Sequence, residues 1–396
     1  MEKHALRVLH VITGLDTGGA EMMLLKLLSA ARGDGIEPAV ISLTGLGGTI
    51  GERVVALGVE VETVGLTRSS ASVARLPRLL SSARRFRPHL VHGWMYHGNL
   101  AASAIGALAS HRIPILWSIR QTLYRLSDER RSTRAAIRLG AALSRLPSSI
   151  LYNSALSAEQ HEAIGYDRGK RAVIPNGFDC NQFRPSAKAR LDVRAELGLP
   201  ADSRLIGLVA RYHPMKGHEI FLRAARLLSR DRPELRFLLA GREATKDNPA
   251  LAALIEELRL GERVILLGER SDMPRLTAAL DIACSSSIRS EGFSNAIGEA
   301  MSCGIPCVAT DIGESREIIG ETGALVPAGD PMALAQAIGR VLAESDDERR
   351  ARGAAARARV ERKYSLPEIA CRYHELYRAQ VAIVGKPKSA HLSASP

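Results

Sequence analysis

Short β-rich runs alternate with helical ones almost from end to end of the chain. "LRVLHVIT" leads into an Ala- and Leu-rich helical stretch, "PAVISL" and "VEVETVGL" come next, and "HLVHGW", "PILWSI" and "SSILYNS" follow further on. The second half repeats the pattern with "RLIGLVA", "LRFLLAG", "VILLG", "DIACSSS", "PCVAT" and "ALVPA". Alternation of this kind builds α/β domains whose parallel sheets are covered by helices. A chain of 396 residues is too long for one core. Two such domains are therefore expected, residues 1–178 and 179–365, with the joint in the turn-rich "IPNGFDCNQFRPSAKAR". A last helix is expected over about 366–384 after a break at Pro367, and the tail 385–396, "GKPKSAHLSASP", is expected to be disordered. Ligands of such domains bind at the C-terminal ends of the strands, which predicts a shared central cleft.

Charge narrows the classes of partner. The net charge is +12, and residues 1–180 hold 22 Lys and Arg against 14 Asp and Glu. Arg130, Arg134 and Arg138 recur every four residues, which lines them along one helix face. That face suits a solvated surface, an anionic membrane surface or an anionic acceptor. Nucleic acid is disfavoured, because aromatic content is 4% and no nucleic-acid motif occurs. No apolar run reaches eighteen residues, and "MEKHALRVLHVITGL" reads as a first strand rather than a signal peptide. The five cysteines form no CxxC pair, so reduced thiols in a cytoplasmic protein are expected.

Residues able to do chemistry cluster just after the expected strands. Gly14, Gly18 and Gly19 separate the first strand from the first helix, where backbone N–H groups can approach an anion. Neither the dinucleotide fingerprint nor the Walker pattern is present there. His97 is expected in the loop between a strand and a helix opening at Asn99. Arg211 and Lys216 follow the second domain's first strand, and two cations so placed can hold a diphosphate. After "VILLG", Arg270, Ser271 and Met273 offer backbone groups to a base edge. Glu291 and Glu299 stand eight positions apart in a segment of small and apolar residues. At about 1.5 Å per residue that spacing is roughly 12 Å if helical, the reach from a sugar past a diphosphate to a ribose. Between them, the amides of Gly292, Phe293, Ser294 and Asn295 open a helix and can receive phosphate charge. No Asp-x-Asp pair stands at a strand end, so no metal is expected.

Four elements together carry a resemblance: "TGGAE" after the first strand, "IPNGFD" at the joint, "ARYHPMKG" with Arg211 and Lys216, and "EGFSNAIGEAMSCGIPCVATDIGES". The chain resembles the retaining glycosyltransferases of family four, with the GT-B fold, to about residue 384. The resemblance implies that Glu299 holds the donor ribose, Glu291 contacts hydroxyls of the donor sugar, and Arg211 and Lys216 neutralise the diphosphate leaving group. It also implies that Gly18 and Gly19 approach that diphosphate or the acceptor, that His97 lies over the reacting sugar, and that the last helix crosses back to the first domain. Closure of the two domains would turn about Asn176 and Gly177. Ser294 stands where many relatives have Pro. Acceptor contacts are expected, from position alone, at Arg120 and Asn99. The expected activity is metal-independent, retaining transfer from a nucleotide-diphosphate-sugar, UDP foremost, with no cofactor. The acceptor is expected to be a saccharide or lipid-linked precursor, with an anionic membrane surface as a further expected partner. Two rivals stand beside this reading: a GT-B nucleotide-sugar epimerase, and a non-catalytic basic protein that binds acidic surfaces.

Overall fold

The computed structural model describes residues 5–385 except residues 17, 32, 67–74, 201 and 290. The expected disorder of the tail lies outside the described residues from 386 onward. The chain forms two compact units, one of Met1–Ile174 with Ile369–Pro396 and one of Pro175–Glu368.

Unit 1 runs β1 (Leu6–Ile12), α1 (Gly19–Ala30), β2 (Ile36–Ser42), α2 (Thr49–Ala56), β3 (Glu60–Thr63), α3 (Leu76–Phe86) and β4 (Leu90–Trp94). It continues with α4 (Met95–Ala107), β5 (Ile115–Ile119), α5 (Arg131–Leu143), β6 (Ser149–Tyr152), α6 (Ala155–Glu162) and β7 (Arg171–Val173). Its sheet has the order β3-β2-β1-β4-β5-β6-β7, parallel throughout.

Unit 2 comprises α7 (Ala187–Glu196), β8 (Arg204–Val209), α8 (His218–Leu228), β9 (Leu235–Ala240), α9 (Pro249–Glu257), β10 (Val264–Gly268) and α10 (Met273–Ala278). Then come β11 (Ile282–Ser285), α11 (Asn295–Ser302), β12 (Cys307–Thr310), α12 (Ser315–Ile319), β13 (Ala324–Val326), α13 (Pro331–Ala343) and α14 (Asp346–Tyr364). Its sheet is also parallel, in the order β10-β9-β8-β11-β12-β13.

β4, β5, β6 and β11 are buried along their whole length, which is why they read as near-continuous apolar runs. Each sheet reverses its winding once, at β1/β4 and at β8/β11. Loops leaving neighbouring strands diverge at such a point and open a crevice. That crevice is where the candidate residues of each unit fall.

The final helix, α15 (Leu366–Gly385), is separated from the end of α14 by a single residue. The break is at Ser365, whose ψ of 146° is extended, while Pro367 sits in the first turn, where its missing N–H loses no helical bond. From Ile369 onward α15 belongs to unit 1 and docks there through buried polar groups. His92 on β4 bonds the Tyr377 hydroxyl at 2.8 Å with Nδ1 and the Ser118 hydroxyl at 2.8 Å with Nε2. Trp94 Nε1 donates to His10 Nδ1 at 3.1 Å, so His10 carries its proton on Nε2. On α6, His161 Nδ1 donates to the Ser157 carbonyl at 2.7 Å, leaving Nε2 to accept from the Tyr96 hydroxyl at 2.8 Å.

Burial drives all three imidazoles toward the neutral form, His10 to about 3, His161 to about 4, and His92 well below its ordinary value. The unfolded chain takes up these protons near pH 6.5, so the stability is complete above that pH and is lost as pH falls toward the folded values. Both tryptophans, Trp94 and Trp117, lie in unit 1 and report on it alone. Urea titration followed by tryptophan fluorescence should therefore show a loss between pH 7.5 and pH 5 on the order of 1–2 kcal/mol per histidine. An unchanged midpoint would contradict the neutral assignment.

Candidate functional site

In unit 2 the β8–α8 loop carries Arg211 and Lys216, and its path is set by backbone geometry. Met215 N–H donates to His213 Nδ1 at 3.3 Å, closing the single turn Pro214–Lys216. Gly217 then takes the left-handed conformation (φ 66°), and a methyl group there would run into the Ser286 carbonyl. The Ser286 hydroxyl lies within bonding distance of the carbonyls of Lys216 (3.1 Å) and Gly217 (2.9 Å), while Ile288 N–H donates to the Met215 carbonyl at 2.9 Å. The β8–α8 loop is thereby tied to the β11–α11 loop.

That tie brings Lys216 Nζ to 2.5 Å from Glu291 Oε2. The same oxygen accepts from the Ser287 hydroxyl at 2.9 Å, and Ser287 is held in turn by Thr310 Oγ1 donating to its carbonyl at 2.6 Å. Glu291 is buried, with 8% of its surface exposed. Its Oε1 takes no hydrogen bond among the described residues. Lys216 has three N–H groups and gives one to Glu291, so two remain for a ligand. On the far side, Gly313 (φ 58°) lies against the Glu291 carbonyl, where a side chain would collide, and Glu314 N–H donates to the Gly292 carbonyl at 3.3 Å.

The Glu–seven residues–Glu element is only half helical, because α11 starts at Asn295. Phe293 turns inward and stacks on Phe178 at 5.9 Å, with Tyr364 edge-on at 5.7 Å. Gly292, Phe293 and Ser294 therefore present backbone rather than reactive side chains. Ser294 is the N-cap but makes no side-chain cap bond, and the Asn295 carbonyl oxygen on the side chain accepts from Asn176 Nδ2 at 2.8 Å. Glu299 is half-buried in the second turn of α11.

Cations dominate the loops around this pair. The His213 ring is pushed below its ordinary value first by burial and then by Arg211, Lys216 and Arg289. Arg289, two residues before Glu291, and the capping His213 were not singled out in the sequence; the first lies inside the matching motif's own approach loop. Arg270 is less available than expected. Its guanidinium is held by both oxygens of Asp272 (2.8 and 2.9 Å) and by Glu196 (3.2 Å), leaving the loop's backbone to meet a ligand, and Met273 packs its side chain on the core.

Unit 1 requires three corrections. His97 is not in a loop before a helix at Asn99: Met95, at φ 61°, turns the chain directly from β4 into α4, so His97 stands in the first helical turn, half-buried. Burial lowers its pKa, and the ring is neutral at pH 7. Asn99 is 2% exposed, and its amide clamps the backbone of Ser118 with two 3.2 Å bonds, Nδ2 to the carbonyl and Oδ1 from the N–H. It is a strut between α4 and β5 and is not placed to touch an acceptor. Arg120 is likewise inside, giving Nη1 to the Ile174 carbonyl at 2.9 Å and the Tyr373 hydroxyl at 2.8 Å. It anchors α15. Gly18 is the N-cap of α1 and Gly19 its first residue; a methyl at Gly18 would press on the Glu21 carboxylate, whereas the space beside Gly19 is open.

Two parallel sheets with these loops at their switch points define the GT-B class. Residues 17–182 match the family described as Glycosyltransferase Family 4, and residues 203–344 match Glycosyl transferases group 1. The chain belongs to these glycosyltransferases. It is 32% identical over 223 residues to the D-inositol 3-phosphate glycosyltransferase of Xylanimonas cellulosilytica, a match covering 54% of this chain and 52% of that one. The chain thus spans about half the length of the curated relatives it matches. Among solved structures, Anabaena HepE in complex with UDP superposes with a TM-score of 0.82 at 23% identity, over 94% of this chain and 100% of that chain. The same protein in complex with UDP-glucose gives 0.80 at 23% identity, with the same coverage.

The two glycines test whether contact or conformation sets the loop. Gly329 also has a positive φ (75°) but nothing within 4 Å of an added methyl. Gly329→Ala should cost about 1 kcal/mol from strain alone, and Gly313→Ala at least ~1 kcal/mol more from the collision with Glu291. Denaturation followed by far-ultraviolet circular dichroism reads both; equal losses would remove the contact.

Proposed function

We propose that the chain transfers a sugar from a nucleotide-diphosphate-sugar, with UDP as the nucleotide, to a hydroxyl of a phosphate-bearing acceptor, with retention at the anomeric carbon. The observation that carries this reading is the Lys216–Glu291 pair. It leaves two lysine protons and one carboxylate oxygen directed away from each other's bond, beside Arg211, Arg289 and the start of α11. Departure of the diphosphate puts negative charge on its β-phosphate, and fixed cations with a helix N-terminus stabilise that charge. The bond from the anomeric carbon to the phosphate oxygen breaks, its electron pair leaving with the phosphate. The acceptor oxygen bonds to the same face of the carbon and its proton passes to the departing phosphate.

In this reading Lys216 and Arg211 hold the diphosphate and Glu291 Oε1 accepts from a sugar hydroxyl. Glu299 holds the ribose, the backbone of residues 292–295 faces the phosphates, the loop of Arg270 and Met273 meets the base, and neutral His97 is assigned to the transferred sugar. The acceptor class draws on the relatives, whose names state an inositol phosphate, and on the basic first half of this chain. A lipid-linked precursor shares the same phosphate chemistry. Among the described residues no helix is long and apolar enough to cross a membrane.

Thermal stabilisation by UDP, GDP and ADP is the first test. UDP at about 100 times its dissociation constant should stabilise by roughly 2.7 kcal/mol, and Glu299→Ala and Lys216→Ala should lose that response. With UDP-sugar and acceptor, Lys216→Ala should lower turnover about 10²–10³-fold, and Glu291→Gln less. Wild-type turnover in Lys216→Ala would remove the diphosphate assignment. Silence toward every nucleotide would favour a non-catalytic surface-binding protein, and consumption of donor without acceptor would favour the epimerase.

A further inference from the structure

Unit 1 contains a cavity of about 390 Å³ at the N-terminal ends of its central strands β1, β4 and β5, closed by α3 and the end of α4. Arg7 is the second residue of β1, His89 stands just before β4, and Ile113 just before β5. β1 has seven residues, so the cavity and the loop after β1 are separated by roughly 20 Å of strand. It therefore belongs to neither the donor loops nor the glycine turn. The volume falls within the range of small-molecule sites.

Its chemistry is divided. The walls are apolar, from Leu80 and Ala83 on α3, Ile105 and Leu108 at the end of α4, and Ile113. The rim is cationic, with Arg84 and Arg87. Arg85 between them is ion-paired with Glu62, but the side chains of Arg84 and Arg87 make no ion pair or hydrogen bond among the described residues. Arg87 is fixed at the rim by its backbone: it takes the left-handed conformation (φ 53°), and Arg7 Nε donates to its carbonyl at 2.8 Å. Leu108 remains 49% exposed at the mouth. An apolar hollow under unpaired guanidinium groups fits a molecule with a hydrocarbon part and an anionic phosphate head. Its lining includes the imidazoles of His89 and His111 but no Phe, Tyr or Trp side chain.

We propose that this cavity is a site for an anionic phospholipid, with an acyl segment between α3 and α4 and the phosphate on Arg84 and Arg87. The site stands whether or not the acceptor is lipid-linked, because it uses no residue of the candidate active site. The test compares dodecyl phosphate, inorganic phosphate and dodecyl maltoside by calorimetric titration of the full chain. Flotation with vesicles of phosphatidylcholine, with and without phosphatidylglycerol, follows at low salt. Dodecyl phosphate should bind at least tenfold more tightly than either partial mimic, and flotation should require phosphatidylglycerol. Arg84→Glu with Arg87→Glu, both exposed positions, should abolish both signals while leaving the UDP thermal shift unchanged. Leu108→Glu should weaken dodecyl phosphate without affecting inorganic phosphate. Equal binding of inorganic phosphate and dodecyl phosphate would show a bare anion site and overturn the proposal, as would unaltered binding in the double arginine variant.

Discussion

A lysine and a glutamate drawn together at 2.5 Å organise unit 2. Neither side chain is fully in water: the lysine side chain is 28% exposed and the glutamate side chain 11%. Removing one charge from such a pair leaves the other poorly solvated, so the pair is retained only if the surrounding loops hold it at bonding distance. Left-handed Gly217 passes under Ser286, Ser287 supports the carboxylate, and Gly313 lies flat on its backbone. Each is a close approach that a larger residue would prevent. The pair is thus an outcome of two strand-end loops locked to each other, and it keeps lysine protons and a carboxylate oxygen unspent.

Unit 1 is held by a different device. Its polar core of His10, His92, Ser118, Arg120, Tyr373 and Tyr377 joins the sheet to α15 through hydrogen bonds, and the bond that Trp94 Nε1 gives to His10 Nδ1 requires that imidazole to be neutral. Buried polar groups gain from a complete network and lose heavily from a partial one. Arg372 extends the attachment to the Val173 carbonyl at 2.8 Å, and His374 to Asp34 at 3.0 Å. Helix α15 is therefore, from Ile369 onward, a structural member of unit 1 and not an appendage to it.

The alternation of strands and helices, the two sheets and the loops that carry Lys216 and Glu291 were legible in the sequence, because periodicity and strand-end glycines act locally. The ion pair itself was not, since 75 positions separate its members. Asn99 and Arg120 were misread for a related reason. A polar residue next to a functional strand looks available in one dimension, and only the fold shows that its hydrogen-bonding groups are already directed at β5 or α15. His97 was placed one turn too early in the path because a non-glycine residue, Met95, makes the left-handed turn into α4, a step that sequence preference argues against.

The glycine turn of unit 1 illustrates how charge separates two roles that position alone leaves open. A helix N-terminus with open space at Gly19 suits an anion in isolation. Here Glu21 already occupies the first turn, its pKa raised first by burial and further by nearby Asp16, and it crowds Gly18. A phosphate brought to that turn would meet two carboxyl groups, whereas a hydroxyl could donate to Glu21 and relieve its desolvation. The cations of Arg211, Lys216 and Arg289 make the opposite environment in unit 2. The electrostatics thus makes the Gly18–Gly19 turn a poorer place for an anion than the β8–α8 and β11–α11 loops of unit 2.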